Sequence, residues 1–108
     1  MRLNVILFAS VLACLGLSNS AHAEPTGVAT TLIDLRPYVG GNQVFVYPAD
    51  PSPCNTMIYT IDLSSAAGKA AYAAALAAVV SGKRVQLEAV APCTGQYSAL
   101  QSIHILPN

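Results

Sequence analysis

Apolar and polar residues alternate in several short stretches of this chain, and the pattern predicts strands separated by one helix. The strand-like stretches are rich in β-branched and aromatic residues and are bounded by turn-forming clusters such as Gly40-Gly41-Asn42. They cover residues 28–35, 43–47, 55–62, 85–91 and 99–106. A proline-rich segment at 48–53 cannot be the interior of a strand and is expected to be an extended loop.

The stretch 66–80 contains nine alanines and no proline, which predicts a helix. Ser64 and Ser65 offer an N-cap oxygen before it, and Gly82 follows at the place where a left-handed C-terminal residue favours glycine. Gly68 is the weak point, because glycine costs up to about 1 kcal/mol relative to alanine inside a helix. The bulky side chains recur at helical spacing and are expected to face the sheet. They belong to Tyr72, Leu76, Val79 and Val80.

The alanines of the helix have two interpretations. Alanine is a good helix former on a half-exposed surface, so the face needs no partner. Alternatively, small side chains let a second helix approach closely, which would make this face a contact between subunits of a homo-oligomer. The candidate oligomer face consists of Ala67, Ala71, Ala74 and Ala78.

The N-terminal residues 1–23 have the features of a signal peptide. Arg2 supplies a basic start, residues 3–17 are apolar, and Ala21-His22-Ala23 provides a small-x-small cleavage site. We therefore expect a periplasmic or secreted protein with a single mature domain, 24–108, and no membrane span. An alternative is a lipoprotein signal at 11–14, in which Cys14 would be lipidated.

Cleavage would remove Cys14 and leave Cys54 and Cys93 as an even pair, which predicts a disulfide in an exported chain. Two free structural thiols are the alternative. The cysteines are 39 positions apart, so the chain-entropy model gives the bridge about 4 kcal/mol. A domain of this size is marginally stable on its own, so the bridge would matter.

The element order β-β-β-α-β-β predicts a mainly β, α+β domain. If the third and fourth strands run in opposite directions, the two cysteines lie on the same side of the sheet. This is compatible with a five-stranded antiparallel OB-like barrel. An open antiparallel sheet with the helix on one face fits the same constraints.

The inventory of side chains supports little catalytic chemistry. The mature chain has four basic and five acidic residues without a basic patch, which argues against nucleic-acid binding. No catalytic set, metal site or cofactor is predicted. His104 lies between two isoleucines on the last strand, and is either a surface residue or part of a binding site. Tyr38, Tyr47 and Tyr97 are either packing residues or, with His104, a candidate surface for a glycan or protein ligand.

The middle of the chain resembles a group of small exported proteins of Gram-negative bacteria. The resemblance rests on Cys54, Ser64-Ser65, Gly68-Lys69, Tyr72, Gly82-Lys83, Val85 and Cys93. The element order is also similar to that of the OB-folded B subunits of AB5 toxins, including the subtilase-cytotoxin type. That likeness implies a glycan-binding, ring-forming subunit, although no glycan-binding residue can be matched. We expect an exported, non-catalytic binding or interaction module, with such a subunit and a small periplasmic enzyme or enzyme inhibitor as alternatives.

Overall fold

The computed structural model describes residues 25–107, which form five strands and one long helix. The elements are β1 (Leu32–Tyr38), β2 (Gln43–Pro48), β3 (Tyr59–Asp62), α1 (Ala66–Ser81), β4 (Val85–Ala89) and β5 (Ser98–Ile105). This confirms the predicted order and the mainly β, α+β class. The predicted signal peptide, its cleavage site after Ala23 and Cys14 lie outside the described residues.

The sheet is mixed, so the prediction of a purely antiparallel sheet was wrong. Its strand order is β1-β2-β3-β5-β4, and β5 lies between β3 and β4. Because β4 runs opposite to β3 and β5 returns antiparallel to β4, β5 is parallel to β3. The parallel contact is short, with Tyr59 opposite Ser98 and Thr60 opposite Ala99.

The segment 25–30 continues into β1 but pairs with β4, at the opposite edge of the sheet. The amide of Gly27 donates to the carbonyl of Leu87 at 2.8 Å, and the amide of Val85 donates to the carbonyl of Thr30 at 2.7 Å. The predicted first strand, 28–35, therefore spans two structural roles, because only its second half belongs to β1. The five strands themselves do not form a closed barrel.

The core lies between the inner face of the sheet and α1. Its buried members are Leu32, Val44, Val46, Tyr59, Ile61, Ala75, Ala78, Val85 and Leu87. The helix presents alanines to this core, with Tyr72 packed beside them. The expectation that the bulky stripe faces the sheet was wrong for its other three members, since Leu76 and Val79 are exposed and Val80 is 85% exposed. Small side chains let the helix lie close to the sheet, which leaves the larger ones at its flank.

Both ends of α1 have the predicted caps. The Ser65 hydroxyl accepts a hydrogen bond from the Gly68 amide at 3.0 Å, and Gly82 adopts a left-handed conformation with φ of 68°. Just before the helix, the Asp62 carboxylate accepts from the Ser64 amide at 2.8 Å, and this bond lowers the pKa of Asp62. Asp62 therefore adds stability above its ordinary pKa of 3.8, and this contribution is lost as the pH falls through the lowered value.

The predicted disulfide between Cys54 and Cys93 is confirmed, with the two Cα atoms 5.5 Å apart. Tyr59 lies beside the loop that carries Cys54. Its ring is fully buried, its hydroxyl donates to the carbonyl of Pro51 at 2.7 Å, and it accepts from the amide of Cys54 at 3.0 Å. The loop that carries Cys54 is thereby fixed to the start of β3.

Replacing Tyr59 with phenylalanine should lower the free energy of unfolding by about 1 kcal/mol, because the Cys54 amide loses its partner and the Pro51 carbonyl keeps only the Thr56 amide. Burial raises the pKa of the Tyr59 phenol above its ordinary 10.0, although backbone hydrogen bonds act against the shift. The folded state thus holds the proton more tightly, and stability falls as the pH rises above 10.0. Urea denaturation of the wild-type protein at a series of pH values from neutral to alkaline should show this fall in the free energy of unfolding. Tyr59→Phe should show a shallower alkaline decline, and an identical decline would contradict the assignment.

Candidate functional site

Aromatic side chains gather on the outer face of β1 and β2. Along β2, Val44 and Val46 are buried, so the alternating residues Phe45 and Tyr47 project outward. The antiparallel register then places Arg36 of β1 opposite Phe45. The face is therefore a direct consequence of strand alternation and of the β1–β2 pairing.

Three rings form a continuous patch, which we call the aromatic surface: Tyr38, Phe45 and Tyr97. The centroids of Tyr38 and Phe45 are 4.6 Å apart, and those of Phe45 and Tyr97 are 5.4 Å apart. Tyr97 precedes β5 and reaches Phe45 across β3, where Thr60 and Ala99 are small enough to leave room. Tyr38 is 47% exposed and Tyr97 is 43% exposed, so the patch is open to solvent at both ends.

The three rings of the aromatic surface follow one another in a short column, with Phe45 in the middle. The planes of Phe45 and Tyr97 differ by only 19°, and those of Tyr38 and Phe45 by 37°. Phe45 is thus flanked by a ring on each side and is itself half-buried. A flat ligand has most room to stack on the exposed end rings, Tyr38 and Tyr97, which also carry the hydroxyl groups.

Charge beside the aromatic surface is balanced. Arg36 donates from Nε to the Asp34 carboxylate at 2.8 Å, and its guanidinium lies 5.0 Å from the centroid of the Tyr47 ring. The hydrogen bond to Asp34 raises the pKa of Arg36, which stays charged. Both side chains of the ion pair are exposed, so the pair adds little stability and mainly sets the orientation of Arg36.

The predicted ligand residues divide between two places. Tyr38, Tyr47 and Tyr97 share the outer face of β1, β2 and the approach to β5, whereas His104 lies on the outer face of β4 and β5. The sequence prediction omitted Phe45, which joins the tyrosines. Its position between two β-branched residues was the available signal, because alternation sends it to the face opposite the core.

His104 belongs to a polar cleft of about 270 Å³ on the outer face of β4 and β5. The cleft is lined by Thr26, Gln86, Glu88, Ser102 and His104. Gln86 is opposite His104 and Glu88 is opposite Ser102 in the antiparallel register. The Ser102 hydroxyl donates to Oε1 of Glu88 at 2.8 Å. Sequence reasoning could not assemble this cleft, because it needs the register of β4 and β5 and the docking of 25–30.

The polar cleft is not arranged for nucleophilic catalysis. An activated serine donates its proton to a histidine base, whereas the hydroxyl of Ser102 donates to Glu88 instead. Between residues 25 and 107, no group of three metal-ligating side chains is close enough together to hold an ion. What the cleft offers is hydrogen bonding.

The four alanines proposed as an oligomer face do not share one environment. Ala78 is buried in the core and Ala71 packs against it, whereas Ala67 is exposed and Ala74 is half-buried. The reason is the close approach of α1 to the sheet, which uses the small side chains internally. Two of the four are therefore already occupied by this chain's own core.

No protein-family model, curated protein or solved structure matches the chain. Among residues 25–107, no helix has the length and apolar character needed to cross a membrane. The two candidate sites on the outer face of the sheet are therefore the basis for a functional proposal. The aromatic surface groups three aromatic rings, and the polar cleft groups five polar side chains.

Proposed function

We propose that the protein is an exported, non-catalytic interaction module with an OB-like barrel, and that it binds a protein partner through the aromatic surface. The observation that carries the proposal is the column of three rings, two of them more than 40% exposed. The barrel is supported by the β1-β2-β3-β5-β4 order together with the bonds from residues 25–30 to β4, which would complete the ring of strands.

Export is supported by two independent features. The first 23 residues combine a basic start, an apolar run and a small-x-small site. The disulfide between Cys54 and Cys93 is of the kind that persists in oxidising compartments such as the periplasm. Together they favour a mature chain that begins at Glu24 and acts in the periplasm or outside the cell.

A protein partner fits the aromatic surface better than a nucleic acid or a stacked sugar. Tyrosine and arginine are the residue types that dominate the energetics of protein interfaces. Val39 follows Tyr38 in the β1–β2 turn, and its apolar side chain is 98% exposed. Asp34 beside Arg36 cancels the charge that a polyanion would need. Phe45 is half-buried between two rings, which leaves a sugar mainly the rings of Tyr38 and Tyr97 to stack on.

Site-specific photocrosslinking in the organism that encodes the protein tests the proposal. A benzophenone amino acid replaces Val39, which leaves all three rings intact. Irradiation should give a covalent adduct larger than the monomer, recoverable with a mature chain that begins at Glu24. Adding Tyr38→Ser and Tyr97→Ser should abolish the adduct, because truncating interface aromatics commonly costs about 2 kcal/mol or more.

The matched control places the same crosslinker at Val80, which is exposed on α1 rather than on the outer face of the sheet. It should give no adduct of the same mass. Equal adducts at positions 39 and 80, or an adduct that survives the loss of both tyrosines, would refute the aromatic surface as the binding site. An adduct of twice the monomer mass would instead favour the ring-forming alternative.

A further inference from the structure

The polar cleft presents mainly hydrogen-bond acceptors. The Ser102 hydroxyl donates its hydrogen bond to Glu88, so its oxygen still has lone pairs that can accept from a ligand. The amide nitrogen of Gln86 is directed to the carbonyl of Gly27 at 3.4 Å, so its side-chain oxygen is left as an acceptor. The Glu88 carboxylate is acceptor-only, and Ser102 engages one of its two oxygens.

His104 does not change this balance when it is neutral. A neutral imidazole has one acceptor nitrogen and one donor. His104 is exposed at the rim of the cleft, and within residues 25–107 no hydrogen bond commits either nitrogen. It can therefore turn its acceptor nitrogen toward a bound donor.

The charge of the cleft has one sign. Glu88 is half-buried, and within the described part of the chain it forms no ion pair. Arg84 precedes β4 on the same face but does not line the cleft. A carboxylate without a counter-ion among several acceptors repels anions and favours a cation that donates hydrogen bonds.

We propose that the polar cleft binds a primary ammonium group. Such a group carries one positive charge and three N–H donors, which matches the Glu88 carboxylate, the Gln86 side-chain oxygen and the Ser102 hydroxyl oxygen. This site is separate from the aromatic surface, and it stands whether or not that surface binds a protein. The ammonium comes either from a free small amine or from a lysine side chain of another protein.

The test is an NMR titration of the uniformly ¹⁵N-labelled mature protein at constant ionic strength. The probe is 1,4-diaminobutane, and 1,4-butanediol serves as a neutral control of the same length. The diamine should cause saturable shifts at residues 86–88 and 102–104, and the diol should cause none. Glu88→Gln keeps the size of the side chain and should weaken the diamine at least about tenfold, because a charge-assisted hydrogen bond is lost.

The matched charge control is Asp50→Asn, which removes an exposed carboxylate outside the cleft and should leave the affinity within about twofold. Equal responses to diamine and diol, absence of saturable shifts, or equal loss in both variants would overturn the proposal. A parallel titration with Nα-acetyl-lysine amide distinguishes the sources. Tighter binding of the lysine compound points to a protein side chain, and tighter binding of the diamine points to a free amine.

Discussion

Replacing Cys54 and Cys93 together with alanine should lower the free energy of unfolding by about 4 kcal/mol. The bridge closes a loop over a sequence separation of 39, and this loop contains β3, α1 and β4. Cys93 is exposed and Cys54 is half-buried, so the double substitution leaves little cavity. The loss of stability therefore comes mainly from the unfolded chain, whose conformational entropy rises when the bridge is absent. Urea denaturation of the mature protein measures it directly.

Reduced wild-type protein is the matched control, since it has the same side chains without the bond. It should lose the same stability as the double variant, within about 0.5 kcal/mol. Because small domains have only about 5–15 kcal/mol in total, both forms should be close to the limit of folding. A loss below about 1 kcal/mol in both would contradict the entropic account.

The local pattern of the sequence predicted the elements but not the order of the strands within the sheet. Alternation and turn residues are properties of short segments, and they predicted five strands and one helix in the right sequence along the chain. The bounds were less accurate, since β1 begins at Leu32 rather than at 28 and β3 at Tyr59 rather than at 55. The position of β5 depends on two residue pairs, Tyr59 with Ser98 and Thr60 with Ala99. These pairs join residues about forty positions apart, and nothing in either segment specifies the other. The periodicity of the sequence therefore cannot predict a short parallel contact between two strands.

The orientation of α1 shows a second limit. Side-chain bulk predicted that Leu76, Val79 and Val80 would be buried in the core. In the structure, α1 packs against the sheet through its small side chains instead. Among these, Ala75 and Ala78 are buried. In a helix built largely from alanine, the apolar pattern hardly distinguishes one side from another, so the tertiary distance between helix and sheet decides the rotation.

The candidate sites combine predictable and unpredictable parts. Tyr47 could be assigned to an outer face from the alternation of the predicted second strand, whereas Tyr38 lies outside the predicted first strand and joins β1 only in the structure. The contact between Phe45 and Tyr97 spans about fifty positions and depends on β5 lying next to β3. The polar cleft likewise needs Thr26 to lie beside β4. In both cases the residue types were visible in the sequence, and only the fold brought them together.

Gly68→Ala should lower the free energy of unfolding by about 2 kcal/mol, against the trend of helix propensity. In an ordinary helix this change gains up to about 1 kcal/mol. Here a Cβ at position 68 would overlap the backbone carbonyl oxygen of Asp62, which a neighbouring side chain cannot relieve by moving. Relieving such a clash commonly costs 1–3 kcal/mol, and it would also disturb the Ser65 cap that bonds to this residue. Urea denaturation at neutral pH gives the difference.

Gly95→Ala is the matched control, because a Cβ there meets no atom within 4 Å, and its stability should stay within about 0.5 kcal/mol of wild type. If Gly68→Ala were instead stabilising, the close approach of Asp62 to the first turn of α1 would be refuted. The comparison separates two explanations of one glycine. Sequence alone makes Gly68 a weakness of the helix, whereas the fold makes it the residue that lets β3 turn directly into α1.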